Sequence, residues 1–95
     1  MELKSGILSA SLKVEGGKLI RCSLEVKNSV ILNAKITGDF FMHPEEKIED
    51  LENLLRGLKL EEEKIRKALS DFYSGNVLVV GASTEDFVKL IMSAR

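Results

Sequence analysis

The sequence predicts an α+β domain, and three observations carry that prediction. Its first half holds runs in which apolar and polar residues alternate strictly. Its second half holds apolar residues at helical spacing. Turn signals separate the runs. Strands first and helices after predict a three-stranded antiparallel meander, with three helices packed on its apolar face.

The first run sets Leu8, Ala10, Leu12 and Val14 against Ser9, Ser11 and Lys13. The second is the cleanest: Ile20, Cys22, Leu24 and Val26 alternate with Arg21, Ser23, Glu25 and Lys27. In the third, Val30, Leu32, Ala34 and Ile36 are expected inside, with Ile31, Asn33, Lys35 and Thr37 outside. Gly16-Gly17 and Asn28-Ser29 mark the hairpin turns. Val14 and Ile20 share a face, as do Val26 and Val30. Directly opposed residues must then have even position sums, which requires odd-length loops or a bulge. Three-residue loops are expected at both turns.

Pro44 suits a first helical position, followed by Glu45 and Glu46 near the positive end of the helix dipole. Ile48, Leu51, Leu54, Leu55 and Leu58 follow helical spacing, and Gly57 is a terminator. A second helix opens at Glu61-Glu62-Glu63, carries Ile65, Ala68, Leu69 and Phe72, and stops at Gly75-Asn76. Val77–Val80 reads as a short buried strand or link. Ser83-Thr84-Glu85-Asp86 reads as a capping box in acidic form, opening a helix with Phe87, Leu90, Ile91 and Ala94 inward.

Ninety-five residues make one domain with a modest core. Fourteen basic groups against fifteen acidic ones give a net charge of −1, which argues against nucleic-acid binding and gives no attraction to anionic membranes. The start, Met1-Glu2-Leu3-Lys4, lacks a signal-peptide core, and no apolar run approaches a membrane span. The single cysteine excludes an internal disulfide and suits the reducing cytoplasm.

No residue set forms a catalytic or metal constellation in the sequence. Gly16-Gly17-Lys18 lacks the spacing and hydroxyl of a nucleotide loop and reads as a tight turn, from whose tip Lys18 can reach an anion. Cys22 falls on an inward face, where a thiol behaves as a small hydrophobe. His43 has no neighbouring ligand for zinc and reads as a boundary residue or a helix cap. The richest feature is Gly38-Asp39-Phe40-Phe41, which spends two of four phenylalanines on one strand-to-helix joint. Parity puts Phe40 inside and Phe41 outside. Asp39 is expected to accept backbone N–H groups at the corner or the first helix, or else to fix the corner for a partner or face a cation.

Gly16-Gly17-Lys18-Leu19-Ile20-Arg21, then Gly38-Asp39-Phe40-Phe41, Pro44-Glu45-Glu46, Leu51-Glu52…Leu55…Gly57 and the closing Val80-Gly81-Ala82-Ser83-Thr84-Glu85-Asp86-Phe87 resemble the C-terminal accessory domain of lipoate–protein ligases. The likeness runs from about Gly16 onward. Starting at Met1 without a catalytic domain, the chain is similar to the separately encoded form described for archaea. The resemblance implies a non-catalytic subunit that docks on a catalytic chain. That chain would hold ATP, Mg and lipoate, make lipoyl-AMP, and pass lipoate to a lysine of a lipoyl domain. The accessory subunit would be needed for activation and would order the nucleotide-binding loop.

Lys18, Leu19, Arg21, Asp39 and Phe41 are the contact candidates for partner or ligand. The outer sheet face is the expected docking surface, with Leu19 and Ile31 as its apolar anchors and an interface on the order of 1,600 Å². A different class stays open: a scaffold similar to the sulfur-transfer proteins of iron–sulfur assembly, which would need an exposed cysteine at a loop tip.

Overall fold

The computed structural model describes residues 5–14, 16 and 18–95. It is α+β. The elements run β1 (Gly6–Lys13), β2 (Leu19–Lys27), β3 (Val30–Gly38), β4 (Phe41–His43), α1 (Lys47–Leu55), α2 (Glu62–Tyr73), β5 (Leu78–Val80) and α3 (Thr84–Met92). β1, β2 and β3 form an antiparallel meander, and β4 pairs with β5 in a separate two-stranded ribbon. α1 packs on β3, α3 on β1 and β2, and α2 on the other two helices.

The alternation of β2 is obeyed at every inward position, with Ile20, Cys22, Leu24 and Val26 all buried. They meet Leu51, Leu55, Ile65, Leu69, Phe87, Leu90 and Ile91 in one core. A fully buried side chain of this kind contributes about 1.5–3 kcal/mol. Among the described residues no polar side chain is buried.

The two hairpins satisfy the even-sum rule in different ways. At the first, the Val14 N–H donates to the Lys18 carbonyl at 2.8 Å, which leaves a three-residue connection as expected. Gly16 there has φ +89°, while Glu15 and Gly17 lie outside the described residues. The second corrects the expectation. Asn28 and Ser29 make a two-residue turn, both at positive φ, the geometry that matches strand twist. The register then shifts: Glu25 faces Asn33, but Val26 faces Ile31. Leu32 is the extra residue of a bulge. Ile31 is therefore fully buried and Leu32 is 43% exposed, the reverse of the predicted faces.

The end of α1 secures that bulge. The Gly57 N–H donates to the Ile31 carbonyl at 2.7 Å, and the Ile31 N–H to the Leu58 carbonyl at 2.9 Å. The Arg56 guanidinium donates to the Leu32 carbonyl and to the Asn33 side chain. Further along, the Ile36 N–H donates to Glu52 at 2.8 Å. On the opposite edge Ser9 and Arg95 exchange backbone bonds. Both sheet edges are thus partly covered, which blunts edge-to-edge pairing.

Two helix expectations shift. Pro44 opens a turn rather than α1: the N–H groups of Lys47, Ile48 and Glu49 reach back three residues, and the regular helix starts at Lys47. Leu54 is exposed, and Leu58 lies beyond the helix. α3 matches its prediction. Ser83 accepts from the Asp86 N–H at 3.2 Å while Asp86 accepts from the Ser83 N–H at 2.9 Å. Phe87, Leu90, Ile91 and Ala94 are buried.

Candidate functional site

The five sequence candidates converge on one end of the molecule, around Gly38-Asp39-Phe40-Phe41. Gly38 sits at φ +151°, and a Cβ there would stand 2.6 Å from the Leu19 carbonyl oxygen and 2.8 Å from the Ile20 Cα. Only glycine allows β3 to approach β2 this closely. The Asp39 N–H donates to the Leu19 carbonyl at 2.9 Å, and its carboxylate takes the Leu19 N–H at 3.5 Å. Asp39 therefore does the backbone work expected of it at the corner. Leu19, Arg21, Thr37 and Asp39 line one shallow recess.

The phenylalanines divide as parity predicts. Phe40 packs edge-on against Phe87, with centroids 5.5 Å apart, and Phe87 in turn meets Tyr73 at 6.5 Å. The Tyr73 hydroxyl donates to the Ala82 carbonyl at 2.9 Å, and burial raises its pKa. Phe41, one residue on, is 54% exposed.

Lys18 lies along the loop after β5. A Cβ at Gly81 would stand 3.2 Å from the Lys18 Cδ and 3.3 Å from the Phe40 Cα. Gly81, at φ +104°, leaves room for the stem of Lys18 to cross. Lys18, Leu19, Asp39 and Phe41 thus border one corner, with Arg21 beside it.

Cys22 is buried, with its Sγ 3.9 Å from the Leu90 carbonyl. Desolvation pushes the thiol up to about 11. Such a thiol is a poor nucleophile, so the sulfur-transfer scaffold loses its one reactive group. His43 ends β4 on the exposed side. Among the described residues no cluster of His, Cys, Asp and Glu is suited to a metal ion, and no helix is long and apolar enough to cross a membrane.

The family described as "Bacterial lipoate protein ligase C-terminus" matches residues 8–91. The chain belongs to this lipoate–protein ligase C-terminal family. It is 41% identical over 73 residues to Lipoate-protein ligase A subunit 2 of Thermoplasma acidophilum, covering 77% of this chain and 76% of that protein. It is also similar to a solved chain from an archaeal lipoylation system of the same organism, described as a bi-partite lipoate protein ligase and its E2 lipoyl domain. There the TM-score is 0.82 at 36% identity, over 93% of this chain and 97% of that one. These likenesses support an accessory subunit of lipoate ligase. The match begins at residue 8, so the family pattern takes in most of β1 as well as the segment from Gly16 onward.

Two expectations about the family domain's surface need correction. Ile31 cannot anchor a partner, because the bulge turns it into the core. Val77–Val80 is not a buried strand. Leu78 and Val80 are 57% and 47% exposed, on a ribbon formed with β4. Sequence reasoning missed both as surface residues. Leu78 and Val80 flank Val79 at a spacing of two, but the run is apolar throughout and gives no sign of which face is wet.

Proposed function

We propose that this chain is the non-catalytic accessory subunit of a two-part lipoate–protein ligase, docking on a catalytic subunit and required for ATP-dependent activation of lipoate. The observation that carries the reading is the likeness to a protein named as a second ligase subunit, spanning three quarters of both chains. In this reading the catalytic subunit binds ATP, Mg and lipoate. The lipoate carboxylate attacks the α-phosphate, forming lipoyl-AMP and releasing pyrophosphate. The amine of a lipoyl-domain lysine then displaces AMP and forms an amide.

The accessory chain contributes binding free energy. Docking selects the conformation of the catalytic subunit in which its nucleotide-binding loop is ordered, and the activation step gains what docking supplies. Lys18, Leu19, Arg21, Asp39 and Phe41 are the proposed contacts. The cytoplasm is the compartment this reading implies, and a free Cys22 is at home there.

ATP–pyrophosphate exchange with lipoate tests the reading. Neither this chain nor the catalytic chain alone should exchange appreciably, and the mixture should. Exchange by this chain alone, or a mixture no faster than the catalytic chain alone, would overturn it.

A further inference from the structure

The β4–β5 ribbon turns one face inward and one outward. Met42 and Val79 oppose each other, with Met42 buried. Phe41 opposes Val80 and His43 opposes Leu78 on the other side. Phe41, Val80 and Leu78 therefore form one exposed apolar cluster. Apolar side chains gathered in this way mark an interaction surface, whereas scattered ones do not.

The surface continues past the ribbon. Thr37, facing outward on β3, lines an apolar notch of about 340 Å³ with Phe41, Met42, Glu45 and Ile48. Thr37 also stands opposite Arg21 on the outward sheet face, where Lys35 stands opposite Ser23. The ion pairs among the described residues engage Lys47, Lys64 and Arg66, and leave Arg21 and Lys35 without a carboxylate. An apolar centre thus adjoins two cations that make no ion pair with a described residue, on a face that also carries Glu25.

We propose that the ribbon and these two cations form one docking surface for the catalytic chain of the ligase: Phe41, Leu78 and Val80 take an apolar patch of that chain, and Arg21 and Lys35 meet carboxylates beside the patch. The proposal rests on the accessory-subunit reading. The occupant follows from the relatives: one is named as a second subunit of a lipoate–protein ligase, and a solved relative comes from a bi-partite one.

The test is titration of the catalytic chain of the same organism with three forms of this chain: wild type, Phe41→Ser with Leu78→Ser, and Arg21→Glu with Lys35→Glu. The ribbon variant should bind at least about thirtyfold more weakly, as loss of a central apolar anchor does. The charge variant should bind about tenfold more weakly at low salt, with the gap closing at high salt. Hydrogen exchange on the wild-type complex keeps the test independent of variant folding: residues 41–43 and 78–80 should gain protection. If wild type binds and restores exchange but the ribbon gains no protection and both variants bind normally, the surface is wrong and the accessory reading survives. If wild type does not bind at all, both fall. If the ribbon variant disrupts only a homodimer, the occupant is a second copy and the proposal fails.

Discussion

The outward face of the β1–β3 sheet and the outward face of the β4–β5 ribbon adjoin at Thr37, yet they meet water differently. On the sheet, Ser9, Ser11, Arg21, Ser23, Lys35 and Thr37 line a shallow trough of hydroxyls and two cations. On the ribbon, Phe41, Val80 and Leu78 share the exposed face with His43. Apart from Ile7 on β1 and Leu32 at the bulge, both exposed, the sheet face has side chains suited to solvent. The ribbon face does not, and an isolated two-stranded ribbon has little stability of its own. Its inward half, Met42 and Val79, is what holds it to the core. A face that is apolar without need of the fold points to an interaction, whereas a polar face is silent on the matter.

The joint between the two faces should be the most fragile point. Gly38→Ala adds a Cβ into the backbone of Leu19 and Ile20 and should cost about 2–5 kcal/mol by denaturant unfolding. A loss below about 0.5 kcal/mol would mean that β3 does not approach β2 as described. Next come the two phenylalanines. Phe40→Ala loses its packing on Phe87 and should cost about 2–4 kcal/mol, while Phe41→Ala should cost less than about 1 kcal/mol. The opposite order in thermal unfolding would exchange core and surface at this corner.

The sheet face should be quieter still. Arg21→Glu with Lys35→Glu should change folding stability by no more than about 0.5 kcal/mol, since neither makes an ion pair with a described residue. A large loss would show that the cations serve the fold. An effect seen only in alkaline solution concerns the inner side of that same sheet. The Cys22 thiol is raised from 9.0 to about 11 by burial. The folded state therefore holds its proton at pH values where the unfolded state has lost it. The contribution is complete below pH 9 and fades as pH rises toward about 11. Cys22→Ala should flatten that part of the stability profile, and wild-type Cys22 should label slowly with an alkylating reagent at neutral pH.

The meander, the order of elements and the inner stripe of α3 were legible because long runs repeat their period often enough to fix a face. Eight or nine residues per strand did this for β1 and β2. β3 failed at one place. Ile31 and Leu32 are both apolar, so alternation cannot say which is inside. The even-sum rule required a three-residue loop or a bulge, and the positive φ that Asn28 accepts readily favoured the tight turn with the bulge. The three-residue strands of the ribbon are too short to show a period, and their pairing joins positions far apart in sequence. At the site, the Phe40–Phe41 division was readable from parity and a backbone-binding role for Asp39 from its residue type, but its pairing with Leu19 was not. The partnership of Phe41 with Val80 was not, because it exists only once α1 and α2 have brought β5 back beside β4.

One titration tests the central claim most directly. The rate of lipoate-dependent ATP–pyrophosphate exchange by a fixed amount of catalytic chain is measured against increasing amounts of this chain, wild type and Phe41→Ser with Leu78→Ser. Wild type should saturate near one equivalent. The ribbon variant should need at least about thirtyfold more protein to reach half-saturation and should approach the same plateau, because it weakens docking and touches no reacting group. Identical saturation curves for the two proteins, or no stimulation by wild type at any concentration, would contradict the account.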